Sequence, residues 1–129
     1  MYRILLIDDN RDDLNQSQRA LKATLDCVLV MAITTTEAIN ACESGEFDII
    51  LIDVNMPDIS GPRLKALLEQ QQSMRSACVM YLTGTPTDHR LHQHVAGNVG
   101  AVLIKPLDQA RIEEMLFHLE VWADGLEDC

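Results

Sequence analysis

Five residues of this 129-residue chain have the types and positions to do chemistry together: Asp8, Asp9, Asp53, Thr83 and Lys105. Each follows or closes a short apolar run, so each is expected where a strand ends. Three carboxylates brought close repel one another unless a cation sits among them. Hard oxygen donors, an octahedral preference and several retained waters describe Mg2+. The charges of the three acids, one Mg2+ and Lys105 then sum to zero. Such a pocket can accept a phosphoryl group. An aspartate attacks phosphorus to form an acyl phosphate, while metal and lysine neutralise the equatorial oxygens. Taken singly, each Asp reads as a helix cap and the Lys as solvated surface. Their joint placement is what points to chemistry.

The elements that must place them are legible as five apolar runs: Ile4–Ile7, Cys27–Ile33, Ile49–Ile52, Cys78–Leu82 and Ala101–Ile104. None alternates with polar residues, so each predicts a parallel strand covered on both faces. Helical spacing fills the intervals over Arg11–Leu25, Thr35–Ser44, Pro62–Gln72, Pro86–Ala96 and Asp108–Trp122. Asn10 with Asp13 resembles a capping box, Gly45 is a stop, and Pro62 suits a first helical turn. Strand and helix alternate five times, the pattern of an open, doubly wound α/β sheet with helices on both faces. Ligands of such sheets bind beyond the carboxyl ends of the strands, where the five residues fall.

Size and composition fit one domain, residues 1–122, followed by an acidic tail over 123–129 that is a frayed end or the start of a connection. Ten basic against twenty acidic residues give a net charge of −10, which disfavours direct nucleic-acid or membrane binding. No apolar run approaches the ~18 residues of a membrane span, and no signal peptide is evident. The four cysteines show no metal-type spacing. Cys27 and Cys78 are expected as free thiols acting as small buried hydrophobes, and Cys129 as the exposed thiol. A cytoplasmic protein is expected.

The motifs LLIDDN, IILIDVNMPDISG, YLTG and LIKPL, in that order and at these separations, resemble the receiver domain of bacterial two-component response regulators over residues 3 to 121 or so. The resemblance implies a (βα)5 flavodoxin-like three-layer sandwich whose five-stranded parallel sheet has the order 2-1-3-4-5. It implies that Asp53 is phosphorylated from a phosphohistidine of a sensor histidine kinase or phosphotransfer protein. Asp8, Asp9, Asp53 and the backbone carbonyl of Asn55 would hold Mg2+. Thr83 would hydrogen-bond the phosphoryl group and Lys105 would pair with it. Pro106 matches a proline that follows a cis peptide bond in that family. The output would be a surface change read by a downstream protein, from a monomer or weak homodimer that turns over nothing but its own phosphoryl group.

Near the site, Met56-Pro57 and Gly61 suit a tight loop, with Gly61 supplying an unusual dihedral, and Gly84 leaves room for a backbone N–H to approach the phosphoryl oxygens. The chain departs from the family at Val102, where a Tyr or Phe usually stands. That departure supports an alternative, a pseudo-receiver that is never phosphorylated and acts as a docking scaffold. Tyr81, on the same side of its strand as Thr83, reads as ordinary core rather than as a substitute. Gly97-Asn98-Val99-Gly100 suggests a loosened helix end. Asn55 and Thr85 are uncharged and poor bases toward water, consistent with a moderate phosphoryl lifetime. His89, His92 and His94 read as solvated positions rather than metal ligands. An aspartate-dependent phosphatase would need D-x-D, whereas this chain has Asp53-Val54-Asn55.

Overall fold

The strands β1 (Tyr2–Ile7), β2 (Cys27–Ala32), β3 (Ile49–Asp53), β4 (Cys78–Thr83) and β5 (Ala101–Ile104) form one sheet in the order β2-β1-β3-β4-β5. Every neighbouring pair is parallel. The helices α1 (Arg11–Thr24), α2 (Thr35–Ser44), α3 (Gly61–Leu68) and α4 (Gln109–Ala123) connect or follow them. The structure is a computed structural model that describes residues 1–71, 77–84 and 101–125. The helix expected over 86–96 lies outside those residues. So do Thr85, the three histidines, the glycine-rich stretch 97–100 and Cys129.

Successive residues of each central strand go to opposite faces of the sheet. Leu5, Ile7, Ile50, Ile52, Val79 and Tyr81 pack with Ala38 and Cys42 of α2 and Leu64 and Leu68 of α3. Ile4, Leu6, Ile49, Leu51, Met80 and Leu82 pack with Leu14 and Leu21 of α1 and Ile112 and Met115 of α4. Three layers follow, as in flavodoxin-like folds. Each fully buried Ile or Leu contributes about 1.5–3 kcal/mol relative to exposure, so both faces hold the sheet firmly. That rigidity is what fixes the strand ends.

The expectation that all five strands are covered on both faces fails at β2. It lies at the sheet edge, and Val28 and Met31 are 38% and 39% exposed. Val28 and Met31 have opposite parity along the strand, so each face of this edge strand is partly open. Cys78 is buried as expected but is disulfide-bonded rather than free. Nothing in the spacing of the cysteines signals which thiols the fold brings together.

Helix starts follow local chemistry. Asn10, Thr34, Ser60 and Asp108 each accept a hydrogen bond from the backbone N–H three residues on, satisfying a donor the helix leaves unpaired. Gly45 caps α2 in an extended conformation, φ −158°, not the left-handed one. α3 stops at Leu68, short of the expected Gln72. There Gln70 and Gln71 N–H groups donate to the carbonyls three residues back, at 3.3 and 2.9 Å, which tightens and ends the helix. Lys105-Pro106 is a cis peptide.

Candidate functional site

The parallel register sets the rim of the sheet. Ile7 pairs with Ile52, so Asp8 and Asp53 each stand one residue further along adjacent strands. Asp53 pairs with Leu82 and Thr83 with Ile104, which brings Thr83 and Lys105 to the same edge. Backbone bonds carry the ladder past the strand ends: Asp8 N–H to Ala32 O at 3.0 Å, Val54 N–H to Leu82 O at 3.0 Å and Lys105 N–H to Thr83 O at 2.8 Å. The rim therefore holds its side chains on rigid backbone.

Asp8, Asp53 and Thr83 are buried, while Asp9 is exposed. Asp8 Oδ1 accepts from the Asn10 backbone N–H at 3.0 Å, and its Oδ2 accepts from Lys105 Nζ at 2.7 Å. Asp53 Oδ1 accepts from the Asn55 backbone N–H at 3.2 Å. Lys105 Nζ lies 3.6 Å from that same oxygen, an ion pair too long for a hydrogen bond. Burial, and then the Asp8 charge, push the Asp53 carboxyl up to about 6, against the opposing pull of Lys105 and the Asn55 N–H. Burial acts to lower the proton affinity of Lys105, but its acidic partners, Asp8 foremost, outweigh that and raise it. It stays an ammonium at neutral pH.

Asp8, Asp9 and Asp53 each offer a carboxylate oxygen, and the three oxygens lie within 4.8 Å of one another. Burial is the main cause of the raised proton affinity of Asp53, and the Asp8 charge adds to it. All three donors are hard oxygens, with no thiolate or imidazole among them, and the set fits Mg2+. A 290 Å³ cavity opens beside it, lined by Asp13, Gln16, Ser17, Gly84, Lys105 and Pro106. Among the described residues nothing lies within 4 Å of where a Cβ on Gly84 would be.

One member of the site is absent from the sequence reading. Asp13, in the first turn of α1, places Oδ2 3.1 Å from Lys105 Nζ. The capping box is thus half formed. Asn10 Oδ1 accepts from Asp13 N–H at 3.1 Å, but the Asp13 carboxylate turns to Lys105 instead of back to Asn10. Reading strand ends alone misses a helix residue. The Asn10-x-x-Asp13 spacing held the signal, because a helix that starts at the end of β1 carries its first turn along the same rim.

The loop after Asp53 returns through a bridge between Asn55 and Ser60. Gly61 is needed there for closeness, not for an unusual dihedral: among the described residues only Gly125 has positive φ. A Cβ on Gly61 would lie 3.1 Å from Val54 Cα and 3.2 Å from Tyr81 Cδ1. Tyr81 is core, its phenol pushed up to about 12 by burial and then by the charge of Glu69. It pairs in register with Val102, which packs against the same face of the sheet.

The family model of the response regulator receiver domain matches residues 4–117. The chain belongs to that family. It is similar to stress response regulator protein 1 of Scheffersomyces stipitis, 26% identical over 82% of this chain and 37% of that protein. The chain spans less than half the length of the curated relatives it first matches. Among solved structures it resembles a CheY-like receiver domain from Methylobacillus flagellatus, with TM-score 0.80, 23% identity, and 92% and 98% of the two chains covered. TrrA of Thermotoga maritima, solved in complex with Mg2+-BeF, gives TM-score 0.71 at 21% identity, covering 92% and 99%. This is a receiver domain of two-component systems, not a typical enzyme. Among the described residues no helix is long and apolar enough to cross a membrane.

Proposed function

We propose that this receiver domain takes a phosphoryl group on Asp53 from a phosphohistidine of a sensor histidine kinase or phosphotransfer protein. A carboxylate oxygen of Asp53 forms the new P–O bond as the P–N bond to the donor imidazole breaks. The imidazole leaves with that electron pair and is protonated. Lys105 neutralises charge on the phosphoryl oxygens, and the Thr83 hydroxyl donates a hydrogen bond to one of them. Asp8, Asp9, Asp53 and the Asn55 carbonyl would hold Mg2+, which supplies further charge neutralisation when bound. The reading includes a cytoplasmic monomer or weak homodimer that signals to a downstream protein and turns over no other substrate.

One observation carries the reading: three carboxylates offer oxygens within 4.8 Å of one another, and Lys105 reaches two of them at 2.7 and 3.6 Å. A structural salt bridge needs one acid for one lysine. A surplus of buried negative charge calls for a cation. TrrA, which shares this fold, is solved in complex with Mg2+-BeF, a ligand pair of the kind this reading expects.

Incubation with acetyl phosphate and Mg2+, followed by intact-mass analysis, tests the proposal. A single phosphoryl adduct is expected, absent without Mg2+ and absent in Asp53→Asn. A second reading, an unphosphorylated docking scaffold, draws on Val102, which stands where the family usually has a Tyr or Phe. It would be preferred if no adduct forms although calorimetry shows the folded protein binding Mg2+.

A further inference from the structure

The Lys105 ammonium has three N–H donors to distribute. Two acceptors lie at hydrogen-bond distance, Asp8 Oδ2 at 2.7 Å and Asp13 Oδ2 at 3.1 Å, while Asp53 Oδ1 stands back at 3.6 Å. The lysine side chain is 14% exposed and that of Asp13 39% exposed, so this contact lies at the mouth of the site beside the 290 Å³ cavity. Asp13 is also oriented for the task. Its N–H is fixed by Asn10 Oδ1, and it sits in the first turn of a helix packed on the sheet through Leu14 and Leu21. A fourth carboxylate therefore competes for the same partly buried ammonium. With Mg2+ bound, the four acids and Lys105 leave one negative charge unbalanced, where the three strand-end acids alone would leave none.

We propose that Asp13 is a positioning residue that tethers Lys105 on the Asp8 side of the pocket and so slows phosphoryl transfer to Asp53. This rests on the phosphoryl-acceptor reading of Asp53. To contact a phosphoryl group there, the ammonium must move from Asp13 toward Asp53. Losing the Asp13 contact is a cost borne only on the way to the phosphorylated state. Removing the Asp13 charge removes that cost and leaves Asp8 to hold the lysine near the site.

The test is the pseudo-first-order rate of phosphorylation by acetyl phosphate at fixed Mg2+, read by intact mass. Asp13→Asn is expected to react about two- to fivefold faster than wild type, the range set by a half-exposed ion pair. Asp13→Glu, which keeps the charge and reaches further, restores the slow rate. Asp12→Asn, the same charge change on the exposed neighbour, leaves the rate unchanged. In a Lys105→Ala background, checked for folding by circular dichroism, Asp13→Asn has no further effect. An Asp13→Asn rate equal to or below wild type overturns the proposal. So does acceleration that Asp12→Asn matches or that persists without Lys105. A wild type that takes no phosphoryl group at all instead overturns the reading of Asp53, and the two failures are distinct.

Discussion

Asp53→Asn in metal-free solution isolates the electrostatic cost of the site. The folded state holds the Asp53 carboxyl at about 6 against an ordinary 3.8, because burial and the Asp8 charge disfavour its ionised form. The folded protein therefore binds this proton more tightly than the unfolded chain does. Between pH 4 and pH 6, roughly, stability falls as pH rises, and above that window the whole penalty is present. At 1.36 kcal/mol per unit, the ionised carboxylate costs the fold up to about 3 kcal/mol at pH 8. Asparagine has nearly the same shape, keeps an oxygen for the Asn55 N–H and carries no charge. The variant is expected to be more stable than wild type by about 1–3 kcal/mol at pH 8 in chelator, a urea midpoint higher by on the order of 1 M. At pH 4 the gap should shrink below about 1 kcal/mol, because the wild-type carboxyl is then protonated. Added Mg2+ should stabilise the wild type more than the variant and close the gap at pH 8. A variant no more stable than wild type at pH 8, or a gap indifferent to pH, would refute the claim that Asp53 is held at a cost.

Lys105→Met leaves the fully buried Asp8 without its 2.7 Å partner and should destabilise the metal-free protein by about 3 kcal/mol in urea unfolding, so an unchanged midpoint would count against a buried pair. Gly61→Ala drives a methyl to 3.1 Å from the Val54 Cα and should cost about 1–3 kcal/mol by the same assay; a neutral result would mean the loop after Asp53 gives way freely. Asn10→Ala removes the α1 cap and should cost about 1 kcal/mol, checked by thermal unfolding. The Cys42 thiol, buried and pushed up to about 11, should resist an aromatic disulfide reagent until the protein unfolds, whereas rapid labelling of the native state would contradict its burial.

The three central strands, β1, β3 and β4, were legible because both their faces are buried and their runs are apolar. β2 was legible as a strand but not as an edge, since Val28 and Met31 are apolar whether covered or half-open. The strand order came from the family resemblance, because a parallel register depends on crossovers that leave no mark on local sequence. Asp8, Asp9, Asp53 and Lys105 were legible because strand ends meet on one rim. Asp13 was not, because a first-turn acid also serves as ordinary helix chemistry. Gly61 was rightly picked out for the wrong reason: closeness to Val54 and Tyr81 is a tertiary fact, and a dihedral is the local explanation nearest to hand.

Borohydride reduction of the protein after exposure to acetyl phosphate and Mg2+ tests the central claim most directly, because it converts an aspartyl phosphate into homoserine at the modified position. Peptide sequencing by mass spectrometry should find homoserine at position 53 and at no other acid of the rim. Unreduced Asp53 throughout, or homoserine at Asp8, Asp9 or Asp13 instead, would contradict the account.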